Sequence, residues 1–372
     1  IPWIHNVKNT DMAIAIDDED SQRLLRLFNT PEGQKYMKDE LGMSDDQIVW
    51  KYKIAEGGVT ADAAEDLVGQ GCNLIISNSY GHQTYMEEEA EKYPDINFVA
   101  MTGDFAAISG CDNFYNAFTA VYQSRYVSGV VAGMKIKDLV ESGTLTPETQ
   151  PDSFTADGKV KIGYVGAYNY AEVVSGYTAF YLGAKSVNPD VTMYVNYTNE
   201  WSDATKEATN AKALIDQGCD VISQHSDTSA PATTAQNNGV FAVGYNDDMI
   251  PVAPDAALVS ARVNWGAYYE YALKCLIDGE AIDQDWCGSY AEGACYLSPF
   301  NDAIIADGTK EAIEKAAAGL ADGSVQVFAG PLHGKDADGN ELNLAEGEYY
   351  KENEKGSSPT FTYIVDGVTV LS

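Results

Sequence analysis

The chain is poor in basic residues and in histidine. Its 372 residues include 23 Lys and Arg against 56 Asp and Glu, which gives a formal net charge of -33. Such a surface repels nucleic-acid backbones and anionic lipid headgroups, so we expect no nucleic-acid partner. The four histidines are scattered, without a pair at metal-ligating spacing. The sequence therefore predicts neither a metal nor another cofactor.

Cysteine and long apolar runs are also scarce. The six cysteines form no Cys-x-x-Cys pair, which argues against a zinc knuckle. Cys287 and Cys295 flank a Gly-rich loop. The sequence favours neither a short disulfide between them nor two separate thiols. The longest apolar stretches, such as residues 126–134, fall far short of the roughly 18 residues that a membrane helix needs. The sequence begins at Ile1, and we expect an N-terminal signal or lipid anchor to be missing from it.

One stretch of the sequence occurs twice in similar form. Residues 64–79, AEDLVGQGCNLIISNS, are echoed by residues 211–226, AKALIDQGCDVISQHS, and each copy reads as a helix end, a Gly stop and an apolar strand. A second echo links residues 96–104, INFVAMTGD, to residues 239–247, GVFAVGYND, and both copies close on an aspartate. The duplication predicts two α/β lobes of similar build, with a small molecule held in the cleft between them at the carboxyl ends of parallel strands.

Strand and helix patterns alternate along the chain, which predicts parallel sheets built from βαβ units. The segment 113–140 has the apolar spacing of one long helix, and Gly279 is placed to end a helix that begins near Trp265. Residues 325–330 read as a strand, and the Asp-Gly pair at 338–339 marks a hairpin. Further helix patterns in the N-terminal part cover residues 22–28 and 32–41.

Several ordered blocks resemble a known family of receptors. They are KIGYVGAYNYAEVVSGYTAFYLGAKSVNPD, NEWSD, LIDQGCDVISQHSD, GYNDDM, VNWGAYY and VFAGPL. In these blocks the chain resembles the basic membrane protein family of bacterial solute-binding proteins, which includes the purine-nucleoside receptor lipoproteins of ABC importers. The resemblance implies a type I periplasmic-binding-protein fold, an α/β architecture in which two doubly wound parallel-sheet lobes are joined by a multi-strand hinge.

The resemblance also implies which residues form each lobe and what the protein does. Residues 1–115 and 263–297 are expected to form the N-terminal lobe, and residues 116–262 and 298–372 the C-terminal lobe. The implied function is extracytoplasmic capture of a purine nucleoside or purine base in the interlobe cleft, by hinge closure, for delivery to an ABC transporter permease. The receptor is expected to be a monomer that an N-terminal lipid anchor tethers to the membrane.

A purine needs flat side chains for its two faces and carboxylates or amides for its edge. Trp201, in the NEWSD block, either stacks on the base or packs within its lobe, and Trp265 either stacks or wedges the hinge. Asp104 and Asp247 close the two echoed strands, where a carboxylate accepts hydrogen bonds from a ligand or caps the next helix. The predicted ligand-binding residues are Ser79, Tyr80, Gly81, Asp104, Glu172, Trp201, Asp227, Tyr245, Asn246, Asp247 and Trp265.

Other functions stay open at this point. Residues 13–28 lack the glycine that the family pattern has after the first strand, which leaves an N-terminal ligand contact and the identity of the ligand undecided. The alternatives are a binding protein for a sugar or another polar small molecule, and a ligand-sensing module for a membrane receptor. A nucleoside-processing enzyme is disfavoured, because no serine lies in a Gly-x-Ser-x-Gly elbow, and we expect no catalytic residue.

Overall fold

A computed structural model describes the strands Met12–Ile16 and Ile48–Tyr52 and the continuous stretch 54–371. The helices predicted at 22–28 and 32–41 lie outside the described residues. None of the described helices is long and apolar enough to cross a membrane.

The described elements alternate between strands and helices for most of the chain. The first group is β1 (Met12–Ile16), β2 (Ile48–Tyr52), α1 (Val59–Gly69), β3 (Leu74–Ser77), α2 (Gln83–Lys92), β4 (Asn97–Met101), α3 (Ala106–Ser109) and β5 (Phe114–Thr119). The second is α4 (Val121–Glu141), β6 (Val160–Gly166), α5 (Ala171–Val187), β7 (Val191–Tyr197), α6 (Ala204–Asp216), β8 (Val221–Gln224), α7 (Ala230–Asn237), β9 (Phe241–Tyr245) and β10 (Ala257–Val263). The third is α8 (Gly266–Asp278), β11 (Asp285–Gly288), β12 (Cys295–Leu297), α9 (Thr309–Asp322), β13 (Leu332–Lys335), β14 (Glu341–Leu344), β15 (Ile364–Val365) and β16 (Val368–Val370).

The chain divides into two compact units. The first consists of the described residues up to Thr119 together with Asn264–Gly288 and Lys355–Ser358. The second consists of Ala120–Val263, Ser289–Glu354 and the described residues from Pro359 onward. Residues 289–297, predicted for the N-terminal lobe, belong here to the second unit together with β12.

The sheet of the first unit is parallel throughout its described strands, in the order β11-β5-β4-β3-β1-β2. Successive residues of β4 point to opposite faces, as strand geometry requires. Phe98 lies in a buried cluster with Leu67 of α1 and Met86 of α2. Val99 lies in another cluster, with Tyr268 of α8. Helices therefore cover both faces of this sheet, which is the doubly wound arrangement.

The second unit repeats this construction. Its larger sheet has the order β12-β10-β9-β8-β6-β7-β16, and among its described strands β12 alone runs antiparallel to its neighbour. In β6, Tyr164 is buried with Val130 of α4 and Phe180 of α5. The next residue, Val165, is buried on the other face with Leu214 of α6. The sheet is again covered by helices on both faces.

The duplicated sequence forms the same local structure twice. Each copy ends a helix, α1 or α6, with a glycine in the left-handed region, Gly71 at φ 93° and Gly218 at φ 91°. In each copy the N–H of the following cysteine donates to the leucine carbonyl oxygen five residues earlier, at 3.1 Å for Cys72 and 3.2 Å for Cys219. This is the Schellman motif, and the prediction of a Gly stop before an apolar strand is confirmed in both places.

Two predicted elements are wrong. The segment 113–140 divides into β5 and α4, because Phe114–Thr119 is buried at every position and pairs with β4 and β11. A strand buried on both faces is apolar without alternation, and its sequence is easily taken for a buried helix. Residues 325–330 form no strand beyond an isolated bridge from Ala329 to Tyr349. The predicted Asp-Gly hairpin is confirmed by the antiparallel pair β13 and β14, and Gly279 ends α8 at φ 70°.

The cysteines, all within the described stretch, form no disulfide. The bridge between Cys287 and Cys295, which the sequence leaves open, is therefore not made in this structure. Cys72 and Cys219 are buried just before β3 and β8, where a thiol acts as a small core hydrophobe.

Helices α4 and α5 of the second unit pack at very short range. A Cβ atom added at Gly129 of α4 would lie 2.0 Å from the carbonyl oxygen of Phe180. One added at Gly183 of α5 would lie 1.9 Å from the carbonyl oxygen of Tyr126. Glycine is required at both positions, because any side chain would push the two helix backbones apart.

We expect Gly129→Ala to lower the free energy of unfolding by about 3 kcal/mol, as overpacking of a close-packed core does. Gly69→Ala is the matched control, because a Cβ atom there meets no atom within 4 Å. That control should be neutral or stabilising by up to about 1 kcal/mol. Urea unfolding followed by circular dichroism measures both variants. Equal stability of the two variants would contradict the close approach of α4 and α5.

Candidate functional site

The predicted site residues of the second unit follow neighbouring parallel strands at their carboxyl ends. Glu172 lies in the first turn of α5 after β6, and Trp201 lies in the loop after β7. Asp227 follows β8 and Asp247 follows β9. The carboxyl ends of parallel strands lie at one edge of the sheet, which is where open α/β sheets bind their ligands. The topology thus brings these four residues to one edge of the second unit.

An aromatic cluster stands at this edge. The Trp201 ring lies 5.2 Å from the Tyr168 ring, between centroids, at an interplanar angle of 62°. Tyr168 in turn stacks on Tyr170 at 5.0 Å and 12°. Trp201 is half-buried and Tyr170 is 52% exposed, so the cluster presents ring surface to solvent. Flat, partly exposed rings are suited to stacking on a planar ligand.

A histidine beneath this cluster contacts Glu172. The His225 Nε2 atom lies 3.2 Å from the Glu172 Oε1 atom, and the His225 ring centroid is 6.4 Å from that of Trp201. Burial lowers the pKa of His225 to about 4, the positive charge of Arg125 adds to the lowering, and Glu172 opposes it. The ring is therefore neutral at neutral pH. Because a carboxylate only accepts, the neutral imidazole donates its Nε2–H to Glu172 and orients that carboxylate.

A buried arginine supports the floor of the cluster. The Arg125 side chain is fully buried, donates from Nη1 to the Gln224 carbonyl oxygen at 2.6 Å, and places Cζ 3.7 Å from the Tyr245 ring centroid. The Tyr245 ring lies 4.7 Å from His225 and is 7% exposed. Arg125 therefore fixes the ends of β8 and β9 through a hydrogen bond and a cation–π contact. Tyr245 lies between Arg125 and His225, below the aromatic cluster, and little of its side chain is exposed to solvent.

The loops that carry Trp201 and Asp227 are tied to each other. The Asp227 N–H donates to the Trp201 carbonyl oxygen at 2.9 Å. The buried Glu207 of α6 accepts from the Asp203 N–H at 3.1 Å and from the Thr228 hydroxyl at 2.8 Å. Asp203 itself caps α6 by accepting from two backbone N–H groups. These bonds hold the two loops in one arrangement before any ligand arrives.

Asn246 and Asp247 form a tight bend at the end of β9. Asn246 has a left-handed backbone, at φ 59°, which asparagine tolerates better than most residues. Its N–H donates to the Ala261 carbonyl oxygen at 2.7 Å, and its carbonyl oxygen accepts from Arg262 Nε at 2.5 Å. The Asp247 N–H donates to the Tyr245 carbonyl oxygen at 2.7 Å. The bend sets Asp247 at the same edge as the aromatic cluster.

The predicted residues of the first unit also meet at strand ends. Ser79 Oγ and the Gly81 N–H both donate to Glu56 Oε1, at 2.6 Å and 3.0 Å. The Tyr80 hydroxyl donates to Asp104 Oδ2 at 3.2 Å. The bond from Tyr80 to Asp104 thus connects the loop after β3 to the loop after β4. Glu56 is a further residue at these strand ends, which the sequence did not predict.

Trp265 has a different environment in the first unit. It precedes α8 and meets Phe118 edge to face, with ring centroids 6.4 Å apart. It also packs against the buried cluster that contains Tyr268. These contacts suit a packing role, and its predicted ligand contact stays a prediction.

Sequence reasoning missed five residues that the structure brings to these edges: Glu56, Arg125, Tyr168, Tyr170 and His225. The two tyrosines had a usable signal, because they follow a strand and precede a helix in the block that resembles the receptor family. His225 carries no signal, because a single histidine outside a metal-ligating pair is not distinguished from a packing residue. Arg125 carries no signal, since a cation within a long apolar helix is not expected to be buried. In the described stretches no three His, Cys, Asp or Glu side chains are grouped to hold a metal ion.

Doubly wound units with rings and carboxylates at their strand ends define a small-molecule receptor of the periplasmic-binding type. The family of ABC transporter substrate-binding proteins described as PnrA-like, named Bmp, matches residues 44–288. The chain belongs to this family. Its members bind solutes outside the cytoplasm and deliver them for transport, and they are not a class of enzymes. The family and the transport role predicted from the sequence are confirmed.

Individual relatives agree with this assignment. A purine-binding protein of Brucella abortus is 34% identical over 309 residues, which cover 82% of this chain and 77% of that protein. A putative ABC transporter glucose-binding protein of Haloferax volcanii is 28% identical over 85% of this chain and 75% of its own length. The crystal structure of an ABC transporter solute-binding protein from Aeropyrum pernix has a TM-score of 0.65 at 15% identity, covering 88% of this chain and 95% of that one. The type I periplasmic-binding-protein fold predicted from the sequence is confirmed.

The depressed pKa of His225 predicts a loss of stability in acid. The unfolded chain gains a proton at this histidine below pH 6.5, whereas the folded protein gains it only near pH 4. The neutral, buried His225 therefore costs the folded state nothing above pH 6.5. As the pH falls from 6.5 to 4, proton uptake by the unfolded chain lowers the free energy of unfolding. The size of this loss is on the order of 3 kcal/mol. We expect His225→Gln to lose less stability than the wild type between these two pH values, as measured by urea unfolding.

The control for this measurement is His333→Gln, which replaces an exposed histidine that contacts Asp366. All other titrating groups are shared by the three proteins and cancel in the comparison. A His225→Gln variant with the same acid dependence as the wild type would show that the histidine is not held neutral in the folded state.

Proposed function

We propose that this substrate-binding protein captures a purine nucleoside or a purine base. The observation that carries the proposal is the grouping of Trp201, His225 and Glu172 at the strand ends of the second unit. A purine has two aromatic faces and an edge of N–H donors and ring-nitrogen acceptors. The grouping offers a ring for one face and an oriented carboxylate for the edge. The Brucella purine-binding relative supports the same ligand class.

Trp201 is the proposed stacking residue. The hydrogen bond from the Asp227 N–H fixes the Trp201 loop before binding. Ligand binding therefore loses little conformational entropy in this loop. Tyr168 meets the indole edge to face and keeps its plane in place. Stacking of a base on such a ring contributes on the order of 1 to 3 kcal/mol.

Glu172 is the proposed acceptor for the edge of the base. Its Oε1 atom is held by His225, and its side chain is 22% exposed, which leaves the carboxylate accessible to a donor such as a purine N–H. A hydrogen bond to a charged group contributes about 1.5 to 3 kcal/mol. Asp227, Asn246 and Asp247 are further proposed contacts, with Tyr245 below them. In the first unit, Ser79, Tyr80, Gly81 and Asp104 are the proposed contacts.

A sugar is the second candidate ligand. The Haloferax relative named as a putative glucose-binding protein favours it, and rings with carboxylates also suit sugar hydroxyls. A thermal-shift panel of adenine, inosine, guanosine, glucose and arabinose separates the two classes. Stabilisation by the purines alone supports the proposal, and stabilisation by the sugars alone overturns it.

We further propose that the protein acts as a monomer beside its permease, tethered to the membrane by an N-terminal lipid. Delivery to a permease supports tethering, because it keeps the receptor at the membrane surface. Labelling with a radioactive fatty acid in the native host, followed by size-exclusion chromatography of the released protein, tests both statements.

We expect Trp201→Ala to weaken the affinity for the stabilising purine at least tenfold, which corresponds to about 1.4 kcal/mol. The reason is the loss of one stacking face. Trp201→Phe should keep most of the affinity, because it retains a flat ring. Isothermal titration calorimetry measures both variants, and circular dichroism checks that each is folded. Unchanged affinity in Trp201→Ala would move this residue to a packing role and remove the main support for the proposal.

A further inference from the structure

The loop between β6 and α5 is short and exposed, yet it carries two rings of the aromatic cluster. These rings belong to Tyr168 and Tyr170, and the exposed residue Asn169 lies between them. The two tyrosine rings stack at 5.0 Å, and the Tyr168 ring meets Trp201 edge to face. Whatever holds this loop therefore also holds the ring against which Trp201 rests.

Tyr197 contacts this loop from the neighbouring strand. It is the last residue of β7, and its hydroxyl lies 3.2 Å from Asn169 Oδ1 and 3.3 Å from the Tyr177 hydroxyl of α5. A tyrosine hydroxyl has one hydrogen to donate, whereas an amide oxygen only accepts. Tyr197 therefore donates to Asn169 and accepts from Tyr177. The result is a chain of hydrogen bonds that runs from α5 through the end of β7 to the loop.

The pKa values of the two tyrosines agree with this direction. Burial raises the pKa of Tyr177 well above its ordinary value, and the hydrogen bond to Tyr197 adds to the rise. Burial also raises the pKa of Tyr197, whereas the hydrogen bond with Tyr177 opposes that rise. A hydrogen bond raises the pKa of its donor and lowers that of its acceptor. Both hydroxyls thus keep their hydrogens at neutral pH, and Tyr177 is the donor of the pair.

A glycine opposite Tyr197 makes room for its ring. Gly166 of β6 is the register partner of Tyr197 in β7. A Cβ atom added at Gly166 would lie 2.8 Å from Tyr197 Cδ1 and 2.9 Å from Tyr197 Cε1. The Tyr197 ring lies against β6 because its partner residue has no side chain. From this position the hydroxyl reaches the loop that follows β6.

Backbone hydrogen bonds hold the two ends of the loop. At its start, the Asn199 N–H donates to the Ala167 carbonyl oxygen at 2.8 Å. At its end, the Val173 N–H donates to the Tyr170 carbonyl oxygen at 3.0 Å. The side-chain bond at Asn169 adds an attachment in the middle of the loop, between the two tyrosines.

We propose that Tyr197 is a positioning residue of the strand-end site, which acts through Asn169 to hold the loop of residues 168–170. This inference rests on the proposed stacking of a purine on Trp201, because the loop supports that ring. A loop that is fixed before binding loses less conformational entropy when the ligand binds. Loss of the Tyr197 hydroxyl weakens ligand affinity, although every proposed contact residue is still present.

Calorimetric titration of the purified full-length chain with inosine tests the inference. Tyr197→Phe keeps the ring and removes the hydroxyl, and it should weaken inosine affinity about fivefold, as expected for one lost hydrogen bond. Asn169→Ala breaks the same bond at an exposed position and should have a similar effect. The double variant should bind no more weakly than either single variant, because both changes remove one shared interaction.

Tyr350→Phe is the matched control for the loss of a hydroxyl. The Tyr350 hydroxyl donates to Thr360 Oγ1 at 2.9 Å elsewhere in the second unit, and its removal should leave inosine affinity unchanged. Unchanged affinity in Tyr197→Phe would overturn the inference. Additive losses in the double variant would also overturn it, because they would show that Tyr197 does not act through Asn169. If Tyr197→Phe does not fold, unchanged affinity in Asn169→Ala decides against the inference.

Hydrogen–deuterium exchange separates a failure of this inference from a failure of the purine proposal. If inosine does not bind the wild type, the purine proposal fails, and exchange at the loop is then decisive. The Val173 and Asn199 amides, which hold the loop ends, should exchange faster in Tyr197→Phe, while the amides of β8 keep their wild-type rates. That result supports the positioning role of Tyr197, and unchanged exchange at both loop ends overturns it.

Discussion

The parallel pairing of strands decides where this protein can bind a ligand. Because connections between parallel strands cross back to the other end of the sheet, the carboxyl ends of the strands gather at one edge of each sheet. In the second unit this edge collects Tyr168, Glu172, Trp201 and His225 from three different loops. None of these loops has a recognisable binding motif alone. The sheet aligns these residues at one edge, and no single loop supplies the proposed site.

The electrostatics of that edge follow from burial and, after it, from one buried cation. Arg125 lies below Tyr245 and adds its charge to the burial that keeps His225 neutral. A neutral imidazole can orient Glu172 by donating a hydrogen bond, without cancelling the negative charge of the carboxylate. The carboxylate is thus left for a ligand that brings its own donors. The general acidity of the chain, at a net charge of -33, favours the same kind of ligand over an anionic one.

The sequence predicts the repeated parts of this structure well and its unique parts less well. The Gly stops at Gly71 and Gly218 were predictable, because the left-handed helix end needs glycine in both copies. Strand β5 was not, because residues buried on both faces show no alternation and resemble a buried helix. Trp201 and Glu172 were accessible from their places after predicted strands. The contacts of Arg125 and His225 depend on tertiary packing, across 99 residues in the case of Arg125 and Gln224, and no local pattern encodes them.

The most direct test of the account is a crystal structure of the protein grown with the purine that stabilises it best. The account predicts that the base stacks on the Trp201 indole and that a nitrogen of its edge lies within hydrogen-bond distance, about 3 Å, of the Glu172 carboxylate. A purine bound elsewhere, with Trp201 and Glu172 in contact only with protein, would contradict it.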